Sequence, residues 1–64
     1  MILNPIVGRD YQCWYRKECA SLPLHGKIVT CVRPSRGKPR NHLVSYAGRR
    51  YVVPCGNLRI ARNQ

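Results

Sequence analysis

Turn-forming residues divide the second half of the chain into short segments rich in β-branched residues. Of all the sequence features, this division restricts the possible folds most strongly. Gly26–Arg33 is rich in β-branched residues and ends before Pro34. The Pro- and Gly-containing loop that follows leads into Asn41–Tyr46, where apolar and polar residues alternate. Ala47-Gly48 then reads as a two-residue turn, with Arg49–Val53 as the return strand. The pattern predicts three successive antiparallel strands.

Two further strands are predicted outside this unit. Tyr11–Arg16 alternates, which places Tyr11, Cys13 and Tyr15 on one face. Lys17–His25 has no period and is predicted to be a long loop. Pro54–Asn57 interrupts the return strand and leaves room for one helical turn before a last strand at Leu58–Ile60.

Five short strands in 64 residues predict an all-β fold, namely a small SH3-like five-stranded barrel with a single helical turn before the last strand. A barrel hides the strand edges that a chain of this size would otherwise expose. We expect one domain over residues 1–64, with its core at about 11–61. The alternative is an open three- or four-stranded meander that depends on disulfides.

The charge balance points to a polyanionic partner. Twelve Lys and Arg residues face only two acidic residues, for a formal net charge of +10. Small domains ordinarily carry a net charge of magnitude about 2–8. Nucleic acid is therefore the first expectation, and an anionic membrane surface the second.

The amino-terminal segment shows no targeting signal. Met1–Pro5 lacks the basic and long apolar regions of a secretory leader, and no apolar run is long enough to span a membrane. We expect an intracellular protein, or a domain of a longer one, that does not act in the membrane. Ile2–Val7 is predicted to lie as an edge segment across one end of the barrel.

The residues that could carry chemistry are few. Asp10 and Glu18 are the only carboxylates, so a two-metal centre lacks ligands, and His25 and His42 are expected at the surface or in a cleft. Zinc sites usually take close C-x₂₋₄-C pairs, which the cysteine spacing lacks. No enzyme, metal or cofactor is predicted, although disulfides remain open. We expect Cys13 and Cys31 to be small core residues on strands, and Cys19 and Cys55 to lie in loops.

Basic and aromatic residues provide the candidate nucleic-acid site. One loop between predicted strands is crowded with cations, and others flank the remaining strands. Trp14 is the best candidate for an exposed stacking platform, because it shares a predicted strand face with Gln12 and Arg16. The tyrosines are expected mainly in the core. The predicted site is Trp14, Arg16, Arg33, Arg36, Lys38, Arg40, Arg49, Arg50, Arg59 and Arg62.

Three stretches resemble the C-terminal SH3-like domain of retroelement and retroviral integrases. They are Trp14–Arg16 with His25–Val29, Leu43–Arg50, and Asn57–Ala61. Tudor-like and KOW-type barrels share the same hydrophobic skeleton. The resemblance implies non-specific DNA binding, with the backbone held by the Arg36–Arg40 loop and by Arg49, Arg50 and Arg59.

The leading prediction is a non-enzymatic module that binds the DNA backbone with low sequence specificity, with RNA slightly behind. The alternative is a protein-interaction module, either a Tudor-like aromatic groove or a small phage-type protein that docks on a host protein. A third possibility, a disulfide-stapled secreted cationic peptide, requires an oxidising compartment.

Overall fold

Five antiparallel strands form one sheet in the computed structural model, which describes residues 1–61. The sheet order is β4-β3-β2-β1-β5, so β1 to β4 pair in sequence order and β5 pairs with β1 at the opposite edge from β4. The all-β prediction is confirmed. Among the described residues, β4 and β5 each pair on one side only, and the sheet is not closed. The strands are β1 (Asp10–Cys13), β2 (Ile28–Arg33), β3 (Asn41–Tyr46), β4 (Arg49–Pro54) and β5 (Leu58–Ile60).

The predicted boundaries are correct for β3 and β5 and differ elsewhere. β1 ends at Cys13 instead of Arg16, because the Tyr15 amide N–H donates to the His25 side chain (3.1 Å) and leaves the strand ladder. β2 begins at Ile28 instead of Gly26, whose φ of +76° is incompatible with a strand.

The predicted long loop contains more structure than its composition indicated. Lys17–Cys19 forms a 3-10 turn, closed by backbone hydrogen bonds from Cys19 to Arg16 (2.8 Å) and from Ala20 to Lys17 (3.2 Å). A second 3-10 turn, Cys55–Asn57, lies before β5, where one helical turn was predicted. The prediction of a single helical turn was therefore incomplete.

The hairpin between β3 and β4 has the predicted two-residue connection. Tyr46 pairs with Arg49, and the intervening Ala47 and Gly48 have φ values of +51° and +77°. Two positive φ values match a type I′ turn, whose twist suits paired strands. Because this turn sets the register, it also determines which β4 residues face inward.

The core lies on one face of the sheet. Inward side chains alternate along each strand, as the pleat requires, and Leu24 from the long loop packs with them. Tyr15, Tyr46 and Tyr51 pack against this cluster from its margin. The buried apolar residues are Tyr11, Cys13, Leu24, Val29, Cys31, Val44, Val53 and Leu58.

Residues 1–9, here called the N-terminal segment, are held against the sheet by hydrogen bonds. The Ile2 amide donates to the Cys55 carbonyl (3.1 Å), the Gly8 amide donates to the Cys31 carbonyl (2.8 Å), and the Ile6 amide donates to the Tyr11 hydroxyl (2.8 Å).

No helix in the described part of the chain is long and apolar enough to cross a membrane.

Candidate nucleic-acid interface

The loop between β2 and β3, residues 34–40, carries cations of two kinds. The side chains of Arg36 and Lys38 are exposed, as is that of Arg33 at the end of β2. Arg40 is half-buried, and its Nη1 donates to the Leu3 carbonyl (3.2 Å) and to Asn4 Oδ1 (3.1 Å). Arg40 therefore ties the loop to the N-terminal segment, whereas the other three cations are free to contact a partner.

His42 anchors this loop from inside the protein. Its side chain is 0% exposed, so the expectation of a surface or cleft histidine was wrong. Nδ1 accepts the Ser35 amide N–H (3.0 Å), which requires the proton on Nε2, and Nε2 then donates to the Ile2 carbonyl (3.0 Å). A buried imidazole is tolerated here because both nitrogens have partners. His42 shares its face of β3 with Val44, which is also 0% exposed, and this alternation outweighs the basic surroundings.

Arg49 and Arg50 lie at the opposite end of the β3–β4 hairpin from the loop. Both are exposed; Arg49 pairs with Tyr46 and Arg50 with Ser45. Strand β4, which runs between these two ends, is about 17 Å long at about 3.3 Å per residue. The sequence placed these cations on neighbouring segments, and the strand register separates them by the length of the hairpin.

A third group surrounds Trp14, just beyond the end of β1. The indole is 41% exposed, which agrees with its predicted role as an accessible ring. The His25 imidazole lies beside it, with 4.6 Å between ring centroids and an interplanar angle of 49°. The Arg59 guanidinium lies 5.3 Å from the indole centroid, within cation–π range. Gln12 pairs with Arg59 across β1 and β5, which brings the strands together here.

Two adjacent concavities share Trp14 and Arg59 as a common wall. The larger, about 570 Å³, is otherwise lined by Met1, Ile2, Gln12 and Ile60. The smaller, about 350 Å³, is otherwise lined by Tyr15, Arg16, Lys17, Gly56 and Asn57. One side of the wall therefore combines apolar side chains with the Gln12 amide, and the other carries two additional cations.

Sequence reasoning missed several members of this group. His25, Gln12, Lys17 and Asn57 were not among the predicted site residues. The only available signal was the alternation that put Gln12 and Trp14 on one face, because the contacts with β5 depend on a long-range register. Arg62, a predicted site residue, lies outside the described residues.

The titratable groups beside Trp14 are shielded. Burial, reinforced by a hydrogen bond with Cys13, raises the pKa of Tyr15 to about 12. Burial likewise raises the pKa values of the Cys13 and Cys31 thiols.

Both thiols lie in the core as predicted, while Cys19 is exposed and Cys55 half-buried; all four cysteines are free. Within residues 1–61, no three His, Cys, Asp or Glu side chains gather as a metal site would require.

Only two carboxylates accompany these cations. Asp10 Oδ1 accepts a hydrogen bond from Thr30 Oγ1 (2.7 Å), and Glu18 lies in the first 3-10 turn. The arrangement thus offers exposed guanidinium groups at both ends of a hairpin and an accessible indole between two concavities.

Comparisons with protein-family models, with curated proteins and with solved structures found no match to this chain.

Proposed function

We propose that this chain is a non-enzymatic module that binds the DNA backbone with low sequence specificity, inside the cell. The observation that carries the proposal is the excess of cations: twelve Lys and Arg residues against two acidic residues. One of those acids, Asp10, already accepts a hydrogen bond from Thr30. Free thiols suit a reducing compartment, which supports the intracellular placement.

The dimensions of the molecule make this charge costly without a polyanion. The principal extents are only 27 × 25 × 21 Å, so a formal net charge of +10 is confined to a small body. Mutual repulsion between such groups disfavours the compact state. Phosphate groups would relieve that repulsion and release condensed counterions, which drives non-specific binding.

The positions of the exposed arginines favour a duplex. Arg36 and Lys38 lie beyond one end of the hairpin and Arg49 and Arg50 lie at the other, and β4 spans about 17 Å between these ends. The major groove of B-DNA is about 12 Å wide, so the two groups suit phosphates on either side of a groove. The helical turns among the described residues are short 3-10 turns, which do not supply a recognition helix.

The proposal includes a coiled, SH3-like barrel arrangement of the sheet. The order β4-β3-β2-β1-β5 and the 3-10 turn before β5 support it. The resemblance to integrase C-terminal domains is part of the same proposal, and it points to the same ligand and to the same loop and hairpin arginines.

A protein partner is the second candidate. The observation that favours it is an exposed apolar side chain, Val52, at 65% exposure on edge strand β4. An acidic protein could pair with this edge and meet the same arginines. The aromatic-groove version has less support, because Tyr46 and Tyr51 pack against the core.

Fluorescence anisotropy with labelled partners tests the proposal. The protein is titrated with two 20-base-pair duplexes of unrelated sequence and with a glutamate-rich peptide. We expect similar affinity for both duplexes and much weaker binding of the peptide. Tight binding of the peptide with weak binding of both duplexes would transfer the assignment to the protein partner.

A further inference from the structure

The geometry around Trp14 points to a dedicated site for one unpaired nucleotide of a single strand: we infer that the base stacks on the indole in the larger concavity and that its phosphate meets cations in the smaller. This inference rests on the proposed nucleic-acid function and adds a second kind of ligand. It uses a surface separate from the loop and hairpin cations assigned to duplex DNA.

The larger concavity has the size and lining for a base. At about 570 Å³ it lies within the range of small-molecule sites, roughly 300–1,000 Å³. Ile2 and Ile60 supply apolar surface, and the Gln12 amide can donate to or accept from the edge of a base. Within residues 1–61, the Gln12 side chain makes one long hydrogen bond, 3.4 Å from Nε2 to the Gly26 carbonyl, and can exchange it for a ligand.

The smaller concavity suits a phosphate. Arg16 and Lys17 line it and are exposed, and Asn57 adds an amide. Arg59 belongs to both concavities, so its guanidinium can follow a ligand from the base side to the phosphate side. Cations beside an aromatic ring are the arrangement that single-strand binding proteins use.

Stacking requires the base to displace Arg59 from the indole, and the magnitudes favour the exchange. An exposed cation–π contact contributes about a two- to fivefold factor in an equilibrium constant, whereas base–aromatic stacking contributes about five- to 150-fold. The displaced guanidinium can then bind phosphate. His25 lies 4.6 Å from the indole between ring centroids, and its Nδ1 accepts the Tyr15 amide N–H (3.1 Å), so this neighbour of the indole is itself held in place.

Trp14 is the only tryptophan, so its emission reports directly on this site. The full chain is titrated with an unstructured twelve-nucleotide mixed-pyrimidine strand and with the blunt duplex of the same sequence. We expect the single strand to quench Trp14 emission and to protect it from acrylamide. The duplex should bind, as judged by anisotropy of a label, without that protection.

Variants separate stacking from charge. Trp14→Leu keeps apolar volume but removes the π face, and should lower single-strand affinity about five- to 150-fold, a much larger loss than for the duplex. Trp14→Phe should restore most of the single-strand affinity, which a folding defect would not allow. The matched charge control is Lys27→Ala, an exposed cation that lines neither concavity and should weaken both ligands alike.

The outcomes distinguish this inference from the proposed function. Duplex binding with no quenching by the single strand, or equal losses for both ligands in Trp14→Leu, overturns the nucleotide site and leaves the duplex function standing. Single-strand quenching without duplex binding supports the site and overturns the duplex assignment. Binding of neither nucleic acid overturns both.

Discussion

The two histidines show how differently the two ends of this molecule use the same residue type. His42 is fully buried, and both of its ring nitrogens bond to backbone groups of distant segments. His25 is half-buried, accepts one amide hydrogen bond and supports the Trp14 ring. At the His42 end, the polar groups hydrogen-bond to other parts of the protein. At the His25 end, they border an accessible surface.

The same contrast separates the arginines. Arg40 bonds to the N-terminal segment beside His42, so its charge serves the structure. Arg59 is exposed, and its guanidinium lies over the accessible Trp14 ring, a contact that it can leave at small cost. A count of arginines therefore overstates the cations available to a partner, and the hydrogen bonds of each side chain decide which are free.

Replacing the two histidines one at a time should give the largest difference in the free energy of unfolding between the two ends of the molecule. His42→Ala leaves the Ser35 amide and the Ile2 carbonyl without their partner and creates a cavity, so we expect a loss of about 3 kcal/mol or more in the free energy of unfolding. His25→Ala removes one partly buried bond and should cost about 1 kcal/mol. Urea unfolding measures both. Equal losses would remove the distinction between the two ends.

Substitutions in the turn between β3 and β4 should have the next largest effect on stability. Gly48→Val forces a β-branched residue into a φ of +77° and should cost about 1 kcal/mol or more. Ala47→Asn places a residue that tolerates positive φ at +51° and should stabilise the fold by about 0.5 kcal/mol. Thermal unfolding compares the pair. A neutral Gly48→Val would mean that this turn does not hold the register.

Alkaline pH should lower the stability of the protein by a smaller amount, through Tyr15 at the Trp14 end. Tyr15 has a pKa raised from 10.0 to about 12, so the unfolded chain loses this proton first as the pH rises. Its contribution to stability is therefore complete below pH 10 and is lost as the pH approaches 12. Tyr15→Phe should lose less stability than the parent protein between pH 9 and 11 in denaturant titrations. Parallel curves would contradict the assigned burial of the hydroxyl.

Local chemistry explains what could be predicted from the sequence. The Ala47-Gly48 turn and the flanking β-branched residues determine β3 and β4 within a few positions, so the hairpin and its inward face followed directly. Alternation also placed Cys13 and Cys31 in the core, where the structure has them. These features need no information from distant parts of the chain.

The remaining features depend on long-range contacts. His42 is buried because Ile2 and Ser35 come to it from separate segments, and a basic neighbourhood gave the opposite expectation. Trp14 meets Arg59 only through the pairing of β1 with β5, whose register no local pattern specifies. The early end of β1 likewise reflects the capture of the Tyr15 amide by His25.

The salt dependence of duplex affinity tests the central claim most directly, namely that free cations of the loop and hairpin bind phosphates. If five or six contacts form, log K should fall against log salt concentration with a slope near −5. Arg36→Gln with Lys38→Gln should bring the slope to about −3, whereas Arg40→Gln, whose charge is held by Leu3 and Asn4, should change it little. A slope near zero, or a double variant indistinguishable from the parent protein, would contradict the claim.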